Sequence, residues 1–236
     1  MSTEIPLYVA LDLDSDTETL ELAEALSGFV GGFKIGPRLV LRYGPELIQK
    51  VSKKGKVFLD MKYFDIPNTM VSAVRSSFEA GASLVTVHAL SGKEALSQLA
   101  LLERELSAKR PFRILSVTML TSFNADNLPK ALSHRSIEEN VEDLATMSFF
   151  SGLRGLVCSP LEVSKLRQKF PQSYLVTPGI RRSQDQLGDQ KRVMGPQKAL
   201  SLGASALVVG RPIVEAADPV QAAKEFYEEI KDFKTE

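Results

Sequence analysis

At 236 residues and 44% hydrophobic content, the chain can bury a sizeable core and suits a single barrel-sized domain of roughly 250 residues. A formal net charge of +0 excludes a general basic field for nucleic acid or an anionic membrane, and no apolar run approaches the length of a membrane span. The lone Cys158 excludes an intramolecular disulfide and fits a reducing cytoplasm. Met1 to Pro6 carries no basic region followed by an apolar one, so no signal peptide is expected.

Eight short apolar runs follow one another: Leu7–Leu11, Gly32–Ile35, Val57–Leu59, Leu84–Val87, Arg113–Val117, Gly155–Cys158, Tyr174–Thr177 and Ala206–Val209. Helical patterns lie between them at Thr17–Leu26, Glu46–Lys53, Thr69–Ala80, Lys93–Lys109, Ile137–Phe150, Leu161–Phe170 and Pro196–Leu202, and Pro219–Asp232 closes the chain. Near-continuous apolar strands alternating with helices argue for a parallel sheet covered on both faces. Eight such units in this length favour a closed (β/α)₈ barrel, read as one domain over residues 1–236, rather than an open doubly wound sheet. Ala80-Gly-Ala-Ser-Leu84 and Leu202-Gly-Ala-Ser-Ala206 are alike, each a helix end with Gly at its stop.

In such a barrel, function collects where strands end. Run one ends in Asp12 and run two contains Lys34. Run three leads into Asp60 and Lys62, which share a face of an extended chain because side chains alternate. Asp65 follows in a turn. Ile66 precedes Pro67 and is biased to extended backbone, and Pro67 suits a helix start. Carboxylates around an ammonium favour its charged form, which suits a general acid waiting for negative charge to develop. Two or three Asp residues could instead bind magnesium, but Lys34 and Lys62 compete for the same space.

Two long connections, Thr118–Ser136 and Gly179–Gly195, are candidate functional loops, and the second is expected to be a lid over ligand. Leu207-Val-Val-Gly-Arg-Pro-Ile213 points to phosphate binding. Glycine lets backbone approach an anion, Arg211 adds a directed charge, and Arg181 and Gln190 lie in the neighbouring loop. His88 at the end of run four reads as a supporting hydrogen-bonder, Cys158 as a small core residue, and Tyr63, Phe64, Phe149 and Phe150 as packing residues.

Leu59-Asp-Met-Lys-Tyr-Phe-Asp-Ile-Pro-Asn-Thr69 resembles the signature of the orotidine 5'-phosphate decarboxylase family, bacterial branch. Val9-Ala-Leu-Asp12, Phe33-Lys-Ile-Gly36, Val85-Thr-Val-His88, Val117-Thr-Met-Leu-Thr121, Val176-Thr-Pro-Gly-Ile-Arg181, Gly188-Asp-Gln190 and Val209-Gly-Arg211 fall in the same order, so the resemblance covers essentially the whole chain. It implies a homodimer of (β/α)₈ barrels, which with the lone cysteine is expected in the cytoplasm. This enzyme would convert orotidine 5'-monophosphate to uridine 5'-monophosphate and carbon dioxide with no metal or organic cofactor. By position, Lys62 is the implied proton donor, Asp60 sits beside the leaving carboxylate, Lys34 links the charges to the ribose, and Asp12 binds a ribose hydroxyl. Asp65, with Ile66 and Thr69, would complete the partner subunit's site. Thr121 and Ser122 lie near the pyrimidine, Pro178 is a further substrate-binding position, Arg181 and Gln190 belong to the closing loop, and Gly210 and Arg211 hold the phosphate.

Two other readings share these residues. A magnesium-dependent sugar-phosphate decarboxylase or synthase of the same barrel superfamily would carry the Asp-x-Lys-x-x-Asp core, with a metal-binding acid where this chain has Lys34. A catalytically silent phosphonucleotide-binding protein would have little need of a proton donor at position 62.

Overall fold

The computed structural model describes residues 5–124, 126–183, 185 and 192–233. Among these residues, eight parallel strands close into a barrel in chain order. The strands are β1 (Leu7–Ala10), β2 (Gly32–Ile35), β3 (Lys56–Tyr63), β4 (Ala82–His88), β5 (Arg113–Val117), β6 (Gly155–Val157), β7 (Tyr174–Thr177) and β8 (Ala206–Val209). The helices are α1 (Asp16–Leu26), α2 (Pro37–Ser52), α3 (Pro67–Glu79), α4 (Gly92–Ser107), α5 (Ile137–Phe150), α6 (Val163–Lys169), α7 (Pro196–Ser201), the single turn α8 (Arg211–Val214) and α9 (Pro219–Ile230). The protein is a (β/α)₈ barrel.

Strand alternation sorts the apolar side chains into two cores. Leu7, Val9, Phe33, Ile35, Val57 and Leu59 point outward and pack under the helices. Tyr8, Ala10, Phe58, Leu84, Leu115, Val176, Ala206 and Val208 point inward and fill the barrel. Tyr8 and Phe58 meet edge to face with centroids 6.0 Å apart. A Cβ at Gly32 would lie 2.8 Å from the Tyr8 ring, so the glycine makes room for it. The two similar helix stops turn on Gly81 and Gly203, at φ 109° and 104°, a conformation glycine takes without steric cost.

The sequence expectations hold for all eight strands and differ in detail. Helix α2 begins at Pro37 rather than Glu46. Gly44, at φ 63° and ψ −161°, kinks it into two helical pieces, and the second, opened by Pro45, is the expected one. Strand β3 runs four residues beyond Leu59, because charged side chains at a barrel mouth face a polar cavity and impose no desolvation limit on the strand. The turn α8 was not anticipated. Phe149 and Phe150 do not both enter the core. Phe149 stacks on Phe170 at 4.8 Å, whereas Phe150 is exposed, since successive helical residues point about 100° apart. Tyr63 packs as expected, its hydroxyl 3.0 Å from Ser77 Oγ, but Phe64 is 63% exposed. Among the described residues, no helix is long and apolar enough to cross a membrane.

Candidate active site

A cavity of about 420 Å³ opens at the carboxyl ends of the strands. That volume suits a small organic ligand. Its floor is Ala10, Phe58, Val117, Val157 and Val208, the upper layer of the barrel interior. One wall, at the ends of β1 to β3, carries Asp12, Lys34, Asp60 and Lys62; a second, at the ends of β7 and β8 and adjoining β1, carries Pro178, Gly179, Arg181, Gly210, Arg211 and Glu215. Met119, Leu120 and Thr121, from the loop after β5, close a third side.

The first wall is a chain of alternating charge. Lys34 Nζ lies 3.3 Å from Asp12 Oδ1 and 3.6 Å from Asp60 Oδ2. Lys62 Nζ donates to both Asp60 oxygens at 2.9 Å. Asp60 and Lys34 are largely buried, while Lys62 and Asp12 reach the open side. Burial, the largest influence on Asp60, pushes its carboxyl up. The Lys34 and Lys62 ammoniums and the hydrogen bonds from Lys62 and Thr86 outweigh it, and the net direction is down. Asp60 is therefore held as a carboxylate between two cations.

Asp60 and Lys62 share the mouth as expected, but not by plain alternation. Lys62 has φ 48°, making it the one non-glycine residue among those described with a left-handed backbone. This conformation returns its side chain to the cavity and costs about 1–2 kcal/mol.

Outside the wall, Asp14 gathers Arg38, Arg42 and Tyr43. Arg38 Nε donates to Asp14 Oδ1 at 2.9 Å, Arg42 to the same oxygen at 2.8 Å, and Tyr43 Oη to the Asp14 carbonyl at 2.7 Å. The Arg38 guanidinium holds the Asp14 carboxyl below its usual range. Arg38 also donates to the Asp12 carbonyl at 3.1 Å, so this cluster fixes the turn that presents Asp12. Charges at Asp14 and Arg38 carried no motif in the sequence, and only the fold shows their use.

The second wall brings two guanidiniums, Arg181 and Arg211, together with Glu215. Arg181 is 7% exposed, and its Nη1 donates to the Ile180 carbonyl at 2.7 Å. Burial first, and the Arg211 charge second, push its guanidinium down from its ordinary value. Two guanidiniums that disfavour one another on one wall of a cavity favour an anion beside them. Gly179 to Met194 closes on itself at its base, through Arg181 N to Met194 O at 3.0 Å and an Ile180–Met194 bridge. Gln190 and Gly188, within residues 186–191 of the expected lid, lie outside the described residues.

Arg192, in the second long loop, makes a buried ion pair beside helix α6 and a hydrogen bond to the first long loop. Arg192 pairs with Glu162 and donates to the Leu120 carbonyl at 3.0 Å, while Glu162 Oε2 accepts Ser159 N–H at 2.7 Å. Neither residue was singled out from sequence, because a salt bridge thirty residues apart leaves no local signal.

Several expected residues stand elsewhere. Ser122 is exposed and outside the cavity, its carbonyl accepting from Asn127 Nδ2 at 3.1 Å. The loop turns after Thr121, which takes Ser122 away from the mouth. Asp65, Ile66 and Thr69 are exposed and do not line this chain's own cavity. Asp65 Oδ1 accepts the Ile66 N–H at 2.7 Å. His88 Nδ1 accepts the Leu90 N–H at 3.3 Å and its ring lies 5.9 Å from Phe64, so it caps a turn rather than supporting the charge chain. Cys158 is fully buried, and burial pushes its thiol up, away from any nucleophilic role.

Residues 6–226 match the model of the Orotidine 5'-phosphate decarboxylase / HUMPS family. The chain is 44% identical over 222 residues to the orotidine 5'-phosphate decarboxylase of Parasynechococcus marenigrum (strain WH8102), covering 92% of this chain and 90% of that one. It is 42% identical to the enzyme of that name from Trichlorobacter lovleyi, covering 95% and 94%. Among solved structures, the orotidine 5'-phosphate decarboxylase of Lactobacillus acidophilus superposes with a TM-score of 0.82 at 33% identity, over 95% of this chain and 98% of that one.

Proposed function

The chain belongs to the orotidine 5'-phosphate decarboxylase / HUMPS family, and from that premise we propose that the charge chain at its barrel mouth carries the reaction, with Lys62 as proton donor. The protein is a carboxy-lyase that decarboxylates orotidine 5'-monophosphate to uridine 5'-monophosphate in UMP synthesis. The observation that supports the residue roles is the polarity of one cavity. An Asp–Lys–Asp–Lys chain stands on one wall and two guanidiniums on a second. A nucleotide monophosphate has matching ends, a phosphate and a carboxylated ring.

Loss of carbon dioxide breaks the bond from ring carbon to carboxylate and leaves the electron pair on that carbon. No adjacent carbonyl is placed to delocalise it, and no cofactor serves as electron sink in this reading. The Lys62 ammonium, fixed by both oxygens of Asp60, stabilises the developing charge and transfers a proton to the carbon. Asp60 repels the departing carboxylate, a secondary contribution. Lys34 carries the charge chain to the ribose and Asp12 accepts from a ribose hydroxyl. Arg211, Gly210 and Arg181 hold the phosphate, with Gln190 from the closing loop, and Thr121 and Pro178 flank the base. Phosphate binding far from the reacting carbon assembles the charges and so raises turnover as well as affinity.

The rival in the same superfamily requires magnesium. Against it stand the names of the relatives and Lys34, whose ammonium lies between Asp12 and Asp60 where a divalent ion would sit. The test is to mix exhaustively chelated protein with orotidine 5'-monophosphate and follow the loss of substrate absorbance. Full turnover is expected. Turnover that returns only with added magnesium would establish the rival, and binding without turnover the silent reading.

The working unit is read as a cytoplasmic homodimer of one-domain chains spanning residues 1–236. Asp65 lies outside its own cavity and is flanked by Phe64 and Ile66, which are 63% and 66% exposed. A two-fold pairing of that surface would cover the apolar side chains and bring Asp65, Ile66 and Thr69 to the neighbouring mouth. Mixed Asp65→Ala and Lys62→Ala chains should then regain activity that neither has alone, near a quarter of wild type for random two-fold pairing. No regain after subunit exchange would place Asp65 outside the neighbouring subunit's site.

A further inference from the structure

The ladder between β3 and β4 is interrupted at the site. Leu59 pairs with Val85 and Tyr63 with Val87, so Asp60, Met61 and Lys62 stand opposite a single residue, Thr86. Such a bulge leaves backbone groups without ladder partners and re-aims side chains. Here one hydroxyl bridges the gap. Thr86 Oγ1 accepts the Lys62 backbone N–H at 2.9 Å and donates to Asp60 Oδ1 at 2.9 Å. Thr86 is fully buried, on a strand whose neighbouring residues Val85 and Val87 face the outer core.

We infer that Thr86 is a positioning residue for the decarboxylation: its hydroxyl holds the left-handed backbone of Lys62 and the carboxylate of Asp60 in one fixed arrangement. Both bonds come from the same oxygen, so it couples the residue that donates the proton to the residue that orients the donor. A hydroxyl can serve both ends because it donates one hydrogen while its lone pairs accept another. Valine has nearly the same shape and can do neither. The part-buried N–H of a left-handed residue would then lose this partner, and Lys62 one restraint on its backbone.

The charged groups facing Asp60 are Lys34 from β2, Lys62 on its own strand and Asp12 beyond Lys34. His88 ends β4 near Lys62, and Arg181, Arg211 and Glu215 line the second wall. None of these ionisable groups is removed when Thr86 becomes valine, so an Asp60 titration that moves with valine and returns with serine reports the hydroxyl and the arrangement of Lys62 it holds.

The inference rests on the roles proposed for Asp60 and Lys62. In the full-length protein, Thr86→Val should lower kcat roughly ten- to a hundredfold, the worth of one hydrogen bond to a charged group. Affinity for uridine 5'-monophosphate, set by the phosphate and ribose ends, should hold. The Asp60 carboxyl, followed by ¹³C NMR and assigned with Asp60→Asn, should titrate at higher pH than in wild type. Thr86→Ser should restore most of kcat and return the titration. If Thr86→Val fails to fold, Thr86→Ser against Thr86→Ala makes the same comparison across one oxygen. Wild-type kcat and an unmoved Asp60 titration in Thr86→Val, or serine as impaired as the variants lacking the hydroxyl, would overturn the inference. If Lys62→Ala also decarboxylates normally, it is the underlying site assignment that fails; if Lys62→Ala is inactive, only the role of Thr86 falls.

Discussion

Lys62→Ala is expected to lower turnover by roughly 10⁴-fold or more while leaving uridine 5'-monophosphate binding largely intact. The magnitude joins two effects of one group. A positioned general acid contributes about 10²–10⁴-fold, and a preorganised donor aimed at developing charge about 10²–10³-fold. Effects of groups acting together are not additive, so the product of the two ranges is a ceiling. Binding survives because Arg181, Arg211 and Gly210 belong to another wall of the cavity. Turnover by absorbance and product affinity by calorimetry make the measurement, and near-full decarboxylation by the variant would refute the assigned role. The backbone supplies an internal control. Lys62 sits at φ 48°, which glycine adopts freely and alanine does not. Lys62→Gly should therefore melt above Lys62→Ala by the equivalent of about 1 kcal/mol or more, with both variants inactive.

Removal of Arg192 is expected to give the largest loss of stability. Its pair with Glu162 is buried, with side chains 10% and 7% exposed. Arg192→Ala leaves a carboxylate in the interior with the Ser159 N–H but without its cation. Breaking such a pair costs about 3–5 kcal/mol. At about 2–4 °C per kcal/mol for a chain of this size, the melting temperature should fall by roughly 6–20 °C. Burial already outweighs Arg192 and holds the Glu162 carboxyl above its ordinary value. Without the guanidinium it rises further. An acid whose folded-state affinity for protons exceeds its unfolded one destabilises the fold most above its folded pKa, and the deficit shrinks as pH falls through it. The variant should therefore lag wild type more at pH 8 than at pH 5, and Glu162→Gln in the same chain should recover part of the loss. Equal melting at pH 8, or a deficit that grows on acidification, would count against this account. The same guanidinium reaches the Leu120 carbonyl beside Thr121, so its loss also frees the loop that closes one side of the cavity.

The sequence by itself determined the barrel and the placement of its chemistry. Eight β-branched runs alternating with helices leave few ways to bury every face, and polar residues directly after those runs must stand at the strand ends. Asp12, Lys34, Asp60, Lys62, Arg181 and Arg211 were legible for that reason, since each is tied to a strand by short-range pattern. Only the tertiary structure decided what depends on partners distant in the chain. The register break that sets three residues of β3 against Thr86, the left-handed backbone of Lys62, and the Arg192–Glu162 pair are all fixed by contacts between separate strands and loops. The same holds for the departure of Ser122 from the mouth and the exposure of Phe64 and Phe150. Periodicity tells which face of an element a side chain occupies. It carries no record of which residue of another element meets it, and hydrogen bonds and ion pairs are made by that meeting.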